Sequence, residues 1–325
     1  MANLKTKYLG LDLRNPVLVS SSGLTDSVDK IKKLYDNNAG GIVLKSLFEE
    51  QIQYEAGKLV AQSDYPEALD YITNYTKSNS VGKYLELIQE AKKAVDIPVI
   101  ASINCVSATD WTGFAKDIED AGADAIELNI YQIPTSKFVS TADIEKTYFD
   151  IIEKVRKATS LPLVVKLGMQ FSNLINMVDQ LYARGVAGVV LFNRLYQPDL
   201  DVENLRIKSA EVFSTPADIR FPLRWVGIIS GQVDKIDIAG STGIHDGEAA
   251  IKMLMAGAKV VQVCSTVYKN GPGRVSDIVS FIDRWLDSNK FPQLDLLRGK
   301  LNYSNISNPS MYERSQFMRY FSSID

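Results

Sequence analysis

Two lysines stand where a short apolar run stops: Lys45 after Ile42-Val43-Leu44, and Lys166 after Leu163-Val164-Val165. A lysine directly after a buried strand is partly desolvated, which sets it apart from an ordinary surface charge. Such an amine could form a Schiff base, as in an aldolase acting on a phosphorylated substrate. It could also pair with a phosphate, or sit beside a flavin and stabilise negative charge on the reduced ring. Pairing with a strand-end carboxylate such as Glu127 is the purely structural alternative.

Other apolar runs end in small hydroxyl and amide residues: Ser20-Ser21-Ser22-Gly23, Lys45-Ser46, Ser102-Ile103-Asn104-Cys105, Asn129, Lys166-Leu167-Gly168 and Asn193-Arg194. Turns and helix caps favour the same residue types, so no single end is informative. The recurrence of one polarity along the chain points to a shared site. Gly240-Ser241-Thr242-Gly243 leads into the helix start Asp246-Gly247-Glu248, and Cys264-Ser265-Thr266 follows the last apolar run. Loops of this kind beside a helix start predict a phosphate site, with plain capping as the competing reading. His245 is the only histidine and cannot build a His-rich metal centre. Arg194 suits either an anion or a surface ion pair.

These residues need elements to carry them, and one punctuation recurs. Ala39-Gly40-Gly41, Ala121-Gly122-Ala123-Asp124, Gly185-Val186-Ala187-Gly188 and Ala256-Gly257-Ala258-Lys259 each precede a short apolar run. Each fits a helix stopped by a glycine in the left-handed conformation, with a buried strand next. Two further strands begin at Pro98 and Pro162, where no ladder donor is needed. Val17-Leu18-Val19 and Ile236-Asp237-Ile238-Ala239 complete eight. Helical faces lie between them, among them Ile144, Tyr148, Ile151, Ile152 and Val155, and Leu174, Ile175, Val178, Leu181 and Tyr182. Continuous apolar strands alternating with amphipathic helices predict an α/β fold, a closed (β/α)8 TIM barrel with insertions after strands 2 and 6, at 46–82 and 193–233. One domain over 1–325 is expected. An open doubly wound sheet competes, but no Gly-x-Gly-x-x-Gly turn follows the first strand.

The bulk numbers bound the function. The 325 residues carry 36 Lys+Arg against 39 Asp+Glu, a formal charge of -3. Without a clustered basic block, nucleic acid is not an expected partner. Cys105 and Cys264 are the only two cysteines, too few for a disulfide framework or an iron–sulfur cluster. The first 16 residues have no apolar signal-peptide centre, and no apolar stretch approaches the roughly 20 residues of a membrane helix. A cytoplasmic protein with a small-molecule substrate is the expectation.

In collinear order, Asn15-Pro16-Val17 through Ser21-Ser22-Gly23, Lys45-Ser46, Val99-Ile100-Ala101-Ser102-Ile103, Glu127-Leu128-Asn129, Val165-Lys166-Leu167, Gly240-Ser241-Thr242-Gly243 and Val261-Gln262-Val263-Cys264-Ser265 resemble the class 1 dihydroorotate dehydrogenase family. They are similar also to the flavin domain of dihydropyrimidine dehydrogenase. The resemblance implies an FMN-dependent oxidoreductase of pyrimidine biosynthesis, with hydride passing between substrate and flavin N5.

By matching position, Ser21, Ser22, Lys45, Asn129 and Lys166 would line the flavin ring, with Gly23, Ser46 and Asn104 in the same cofactor site. Gly240, Ser241, Thr242, Gly243, Cys264, Ser265 and Thr266 would hold the FMN phosphate. Lys45, Asn74, Asn129 and Asn193 would bind dihydroorotate or a similar cyclic amide. A homodimer is implied, as is a separate electron-transfer subunit in part of the family. The family's Cys or Ser base before a proline corresponds here to Gln132 or Ile133, neither of which takes a proton near neutral pH. Ser136, Ser140 and Cys105 are the remaining base candidates. Thr73-Asn74-Tyr75-Thr76-Lys77-Ser78-Asn79 lacks the family's Gly/Pro-containing loop, and Phe213-Ser214-Thr215-Pro216 lacks its paired glycines. Those departures keep open a different cyclic substrate, or a flavin-binding homologue without turnover.

Overall fold

A computed structural model describes residues 2–48, 69–105 and 111–314, with side chains omitted at 69–78, 105, 111 and 112. Eight parallel strands form the barrel: β1 Val17–Val19, β2 Gly41–Val43, β3 Val99–Cys105, β4 Ala125–Ile130, β5 Leu163–Leu167, β6 Gly188–Leu191, β7 Asp237–Ser241 and β8 Val260–Val263. Each pairs with the next, and Val261 of β8 returns to Val17 of β1, which closes the sheet. Leu47–Phe48 resumes pairing with Ile103 and Asn104 of β3 after a break beyond β2.

The helices outside are α1 Val28–Asp36, α2 Leu69–Ala94, α3 Trp111–Asp120, α4 Thr141–Ala158, α5 Leu174–Ala183, α6 Arg220–Gln232, α7 Gly247–Ala256 and α8 Gly273–Ser288, with a short helix, Ser265–Asn270, before the last. Tyr148, Ile151, Ile152 and Val155 of α4 are buried as the periodicity requires. On α5 the buried face is Leu174, Met177, Val178 and Leu181, while Tyr182 lies at the exposed margin. Glycines 122, 185 and 257 take positive φ after their helices. The exception is the first repeat, where Asn38 turns the chain left-handed. Gly40 is small for another reason: a Cβ there would run into the backbone oxygen of Asn15.

Inside, the strands stack in layers. Leu18, Val43, Ile100, Ala125, Val164, Val190, Ala239 and Val260 supply one apolar residue per strand, packed on Tyr8, Leu9 and Leu13. Those three belong to an antiparallel hairpin, Thr6–Tyr8 and Leu11–Leu13, that plugs the N-terminal end of the barrel. Two residues further along, side chains face the interior again. The buried residues there are Ser20, Ser102, Glu127, Lys166, Ser241 and Gln262, whereas Phe192 packs against Phe221 of α6. The barrel floor is thus apolar and the layer above it polar.

Two expectations about the insertions change. Residues 69–82 are the opening turns of α2, so the insertion after strand 2 is shorter than 46–82, and Asn74 lies on a helix. The side chain of Asn74 is outside the described residues. After β6, the insertion holds an exposed hairpin, Pro198–Asp201 with Arg206–Ser209, and then passes into α6, the regular sixth helix. Among the described residues, no helix is long and apolar enough to cross a membrane.

Candidate active site

At the centre of the polar layer lies an ion pair. Lys166 is 6% exposed and Glu127 0%, with Nζ 3.5 Å from Oε1. Nζ donates to Ser20 Oγ at 3.0 Å, Ser20 Oγ donates to Gln262 Oε1 at 3.1 Å, and Gln262 Nε2 donates to Glu127 Oε2 at 2.7 Å. The ring of contacts joins β1, β4, β5 and β8. Glu127 Oε1 and Tyr8 Oη, directly below in the plug, are buried without a hydrogen-bond partner among the described residues. Burial, reinforced by the Glu127 charge, holds the Tyr8 phenol protonated well above its ordinary range.

A hydroxyl cluster lies beside it. Ser46 Oγ is 2.9 Å from Ser21 Oγ and 2.7 Å from Ser102 Oγ, and Ser46 N donates to Ser21 Oγ at 2.9 Å. Tyr84 of α2 fixes β3 from outside, donating to Ser102 O at 3.0 Å and accepting from Ser102 N at 2.7 Å. The break after β2 explains why Lys45 departs from expectation. Had the ladder continued from Val43, Lys45 would enter the interior. Instead Ser46 takes that place and Lys45 is exposed.

Above Lys166 is a cavity of about 470 Å³, whose wall includes Ser21, Ser22, Asn193, Ser241, Gly243 and Cys264. Asn193 Nδ2 donates to Asn129 Oδ1 at 2.8 Å, so the two expected amides are brought together. Asn104, paired in register with Asn129, is half-buried at the end of β3. Burial pushes the Cys264 thiol up, despite Ser22 and Lys166 nearby, so it stays protonated. Thr266 is buried and donates to His245 O at 2.9 Å, which places it behind the wall.

The loops after β7 and β8 meet there. Thr242 and Gly243 take φ of 75° and 79°, a conformation that disfavours a β-branched residue. Thr242 Oγ1 donates to Phe192 O at 3.1 Å. The far wall comes from the insertion after β6: Phe213 lies 5.3 Å from the ring of Tyr268, and Ser214 N donates to Ser265 Oγ at 3.0 Å. Arg194 does not await an anion. It donates to the backbone oxygens of Glu211, Val212 and Phe213 and pairs with Asp218 at 3.3 Å, clamping this wall. His245 Nε2 lies 3.0 Å from Ser214 Oγ, another fastening of the same strap.

Of the base candidates, Ser136 and Ser140 do not line the cavity. Gln132, Ile133 and Ser136 are exposed. Ser140 caps α4, accepting from Asp143 N at 3.2 Å and donating to Asp143 Oδ2 at 2.7 Å. That commitment removes it as a base. Cys105 ends β3, with its side chain outside the described residues. Among the described residues, no three His, Cys, Asp or Glu side chains are grouped to hold a metal. Sequence reasoning quoted Ser20, Ser102 and Gln262 without giving them a role, although their spacing of two from the apolar floor was a signal; Tyr84, on α2, carried none.

A closed parallel barrel with a hydroxyl-rich pocket over a buried lysine at the C-terminal ends of its strands defines a (β/α)8 enzyme. The chain belongs to the dihydroorotate dehydrogenase family, whose pattern matches residues 3–286. It is therefore an oxidoreductase of that type, which sets aside the Schiff-base alternative for Lys166 and Lys45. Relatives include the protein named dihydroorotate dehydrogenase B (NAD(+)), catalytic subunit, of Thermoplasma volcanium, 25% identical over 92% of this chain and 98% of that protein. The protein of the same name from Thermoplasma acidophilum is 27% identical over 92% of this chain and 99% of its own length. That of Methanocaldococcus jannaschii is 25% identical over 82% and 88%.

Proposed function

We propose that this chain binds FMN and oxidises dihydroorotate, or a closely similar cyclic amide, in pyrimidine biosynthesis. The observation that carries the reading is the buried Lys166 ammonium at the floor of the 470 Å³ cavity, surrounded by hydroxyl and amide groups. The residues present fit a flavin: a fixed cation for an electron-rich ring edge, amides on one wall, and small residues on the loops after β7 and β8. Ser21, Ser22, Gly23, Ser46, Asn104, Asn129 and Lys166 would hold the ring. Ser241, Thr242, Gly243, Cys264 and Ser265 would surround the phosphate, with Gly240 and Thr266 supporting them from behind. Lys45 would join from the rim, not from the floor.

Bound FMN supplies the two-electron chemistry, and the protein supplies position and electrostatics. Lys166 holds positive charge where the ring becomes negative on reduction. Asn129 and Asn193, mutually hydrogen-bonded, orient the cyclic amide by its own donors and acceptors, with Asn74 as a further contact. Ser136 and Cys105 remain the candidates for removing the substrate proton.

The relatives' names speak of NAD(+) and a catalytic subunit. On that likeness the electrons pass through a separate electron-transfer subunit, in the cytoplasm. A homodimer is supported by the hairpin after β6, where the cross-strand neighbours Leu200 and Ile207 are 66% and 70% exposed. A second reading, flavin binding without dihydroorotate turnover or with another cyclic substrate, is favoured by the exposed loop at Gln132 and Ile133 and the capping role of Ser140.

The deciding experiment is an absorbance spectrum of the purified protein followed by anaerobic addition of dihydroorotate. Bleaching of a flavin spectrum is expected. A flavin that stays oxidised would shift the reading to the second, and a protein that refuses added FMN would overturn both.

A further inference from the structure

Glu127 has no role in the reading so far, yet it is the most deeply buried carboxylate beneath the cavity. We propose that Glu127 is a positioning residue for the cofactor site: acting through Lys166, its carboxylate fixes that amine at the cavity floor and offsets its charge there. The inference rests on the flavin reading above.

The geometry carries the argument. Burial alone would push a lysine toward its neutral form, and an opposite charge a few ångströms away reverses that tendency. The carboxylate 3.5 Å from Nζ is such a charge. Its other oxygen is held by Gln262, which is joined in turn to Lys166 through Ser20, so both members of the pair are anchored to one small ring of side chains. The remaining titratable groups around the pair do not replace Glu127. The Tyr8 phenol and the Cys264 thiol are both pushed up by burial and stay neutral. Asp237 lies at the opposite end of its strand, accepting from Leu9 N at 2.7 Å and facing Lys259. Among the described residues Lys166 therefore depends on Glu127 for its countercharge, and the pair presents no net charge to the cavity.

A consequence follows for a bound flavin. With the Glu127 charge removed, the Lys166 cation is no longer offset and favours the reduced, anionic ring.

The test is the two-electron midpoint potential of the flavin-loaded protein, with Glu127→Gln placed in two backgrounds. At pH 6 in the wild-type background, the substitution should favour reduced flavin at least tenfold, about 30 mV for a two-electron couple. In the Lys166→Met background the effect should be below twofold, because the amine through which Glu127 acts is gone. A shift equal in both backgrounds overturns the proposal, as does no shift at all. If Glu127→Gln does not fold, Glu127→Asp serves, since it draws the carboxylate away from Nζ; an unchanged potential then overturns the proposal. Wild-type protein that binds no flavin overturns the flavin reading and this one together, whereas loaded protein with a flat response overturns only this one.

Discussion

Asn193 Nδ2 donates to Asn129 Oδ1 at 2.8 Å, joining the ends of β6 and β4 across the intervening β5. The bond leaves each amide with further donors or acceptors for a planar cyclic ligand while fixing both orientations. Asn129→Ala should therefore weaken orotate binding roughly tenfold, the order expected for losing one hydrogen bond and freeing its partner. Titration of the flavin spectrum with orotate checks this, with flavin content as the control. Unchanged affinity at full flavin content would remove both amides from the substrate site.

Lys166 and Glu127 also matter to the fold. Breaking a buried ion pair costs about 3–5 kcal/mol, because the remaining charge has lost its compensation. Glu127 is fully buried, so Lys166→Met should be strongly destabilising in urea unfolding. Adding Glu127→Gln should recover much of the loss. A double variant no more stable than Lys166→Met would mean that the lysine's packing, not its charge, was being measured.

Thr242 offers a test of backbone strain. At φ of 75° a side chain is disfavoured and glycine is not. Thr242→Ala loses the hydroxyl bond to Phe192 O and keeps the strain, whereas Thr242→Gly loses the bond and relieves it. Thermal unfolding should rank Gly above Ala by about 1 kcal/mol. The reverse order would show that the left-handed turn is not maintained in solution.

Much of this architecture was legible because buried parallel strands are short, apolar and punctuated. The eight strands, the glycine stops and the α4 face follow from that pattern. The ends of the strands were harder. Asn104, Asn129 and Lys166 look like residues beyond their strands, yet each lies within one: outward Ile130 and Leu167 continue the ladder while the polar neighbour turns inward. Lys45 and Lys166 are indistinguishable by local sequence. Only the break after Val43 sends one to solvent and the other to the floor, and that break shows in the strand pairing, not in the residue types around Lys45. Arg194 shows the same limit, since its partners lie 17 to 24 positions away in an insertion without periodicity.

His245 should make stability depend on acid. Burial pulls its imidazole below the ordinary 6.5, with Lys269 adding to the effect and Asp246 and Asp218 opposing it. The folded state thus holds a neutral ring that the unfolded chain protonates more readily. Its contribution is complete above about pH 6.5 and is lost progressively as pH falls through the lower folded value. His245→Gln, which keeps a partner for Ser214 Oγ, should flatten this acid limb while leaving stability at pH 8 close to wild type. Urea midpoints at pH 5, 6 and 8 measure it, and an unchanged acid limb would place the titration elsewhere.

The hairpin after β6 presents Leu200 and Ile207 as cross-strand neighbours on one exposed face, while Asp199–Lys208 and Asp201–Arg206 pair across the strands by charge. Register alternation puts the apolar pair and the charged pairs on different faces. An apolar pair that water must solvate is a cost unless a second surface covers it, and a second copy would do so in a homodimer. Ile207→Lys should halve the mass seen by light scattering and leave the flavin spectrum unchanged, because the hairpin lies beyond the wall that Arg194 clamps. An unaltered mass with Ile207→Lys and Leu200→Lys combined would remove this hairpin as the surface a second copy covers.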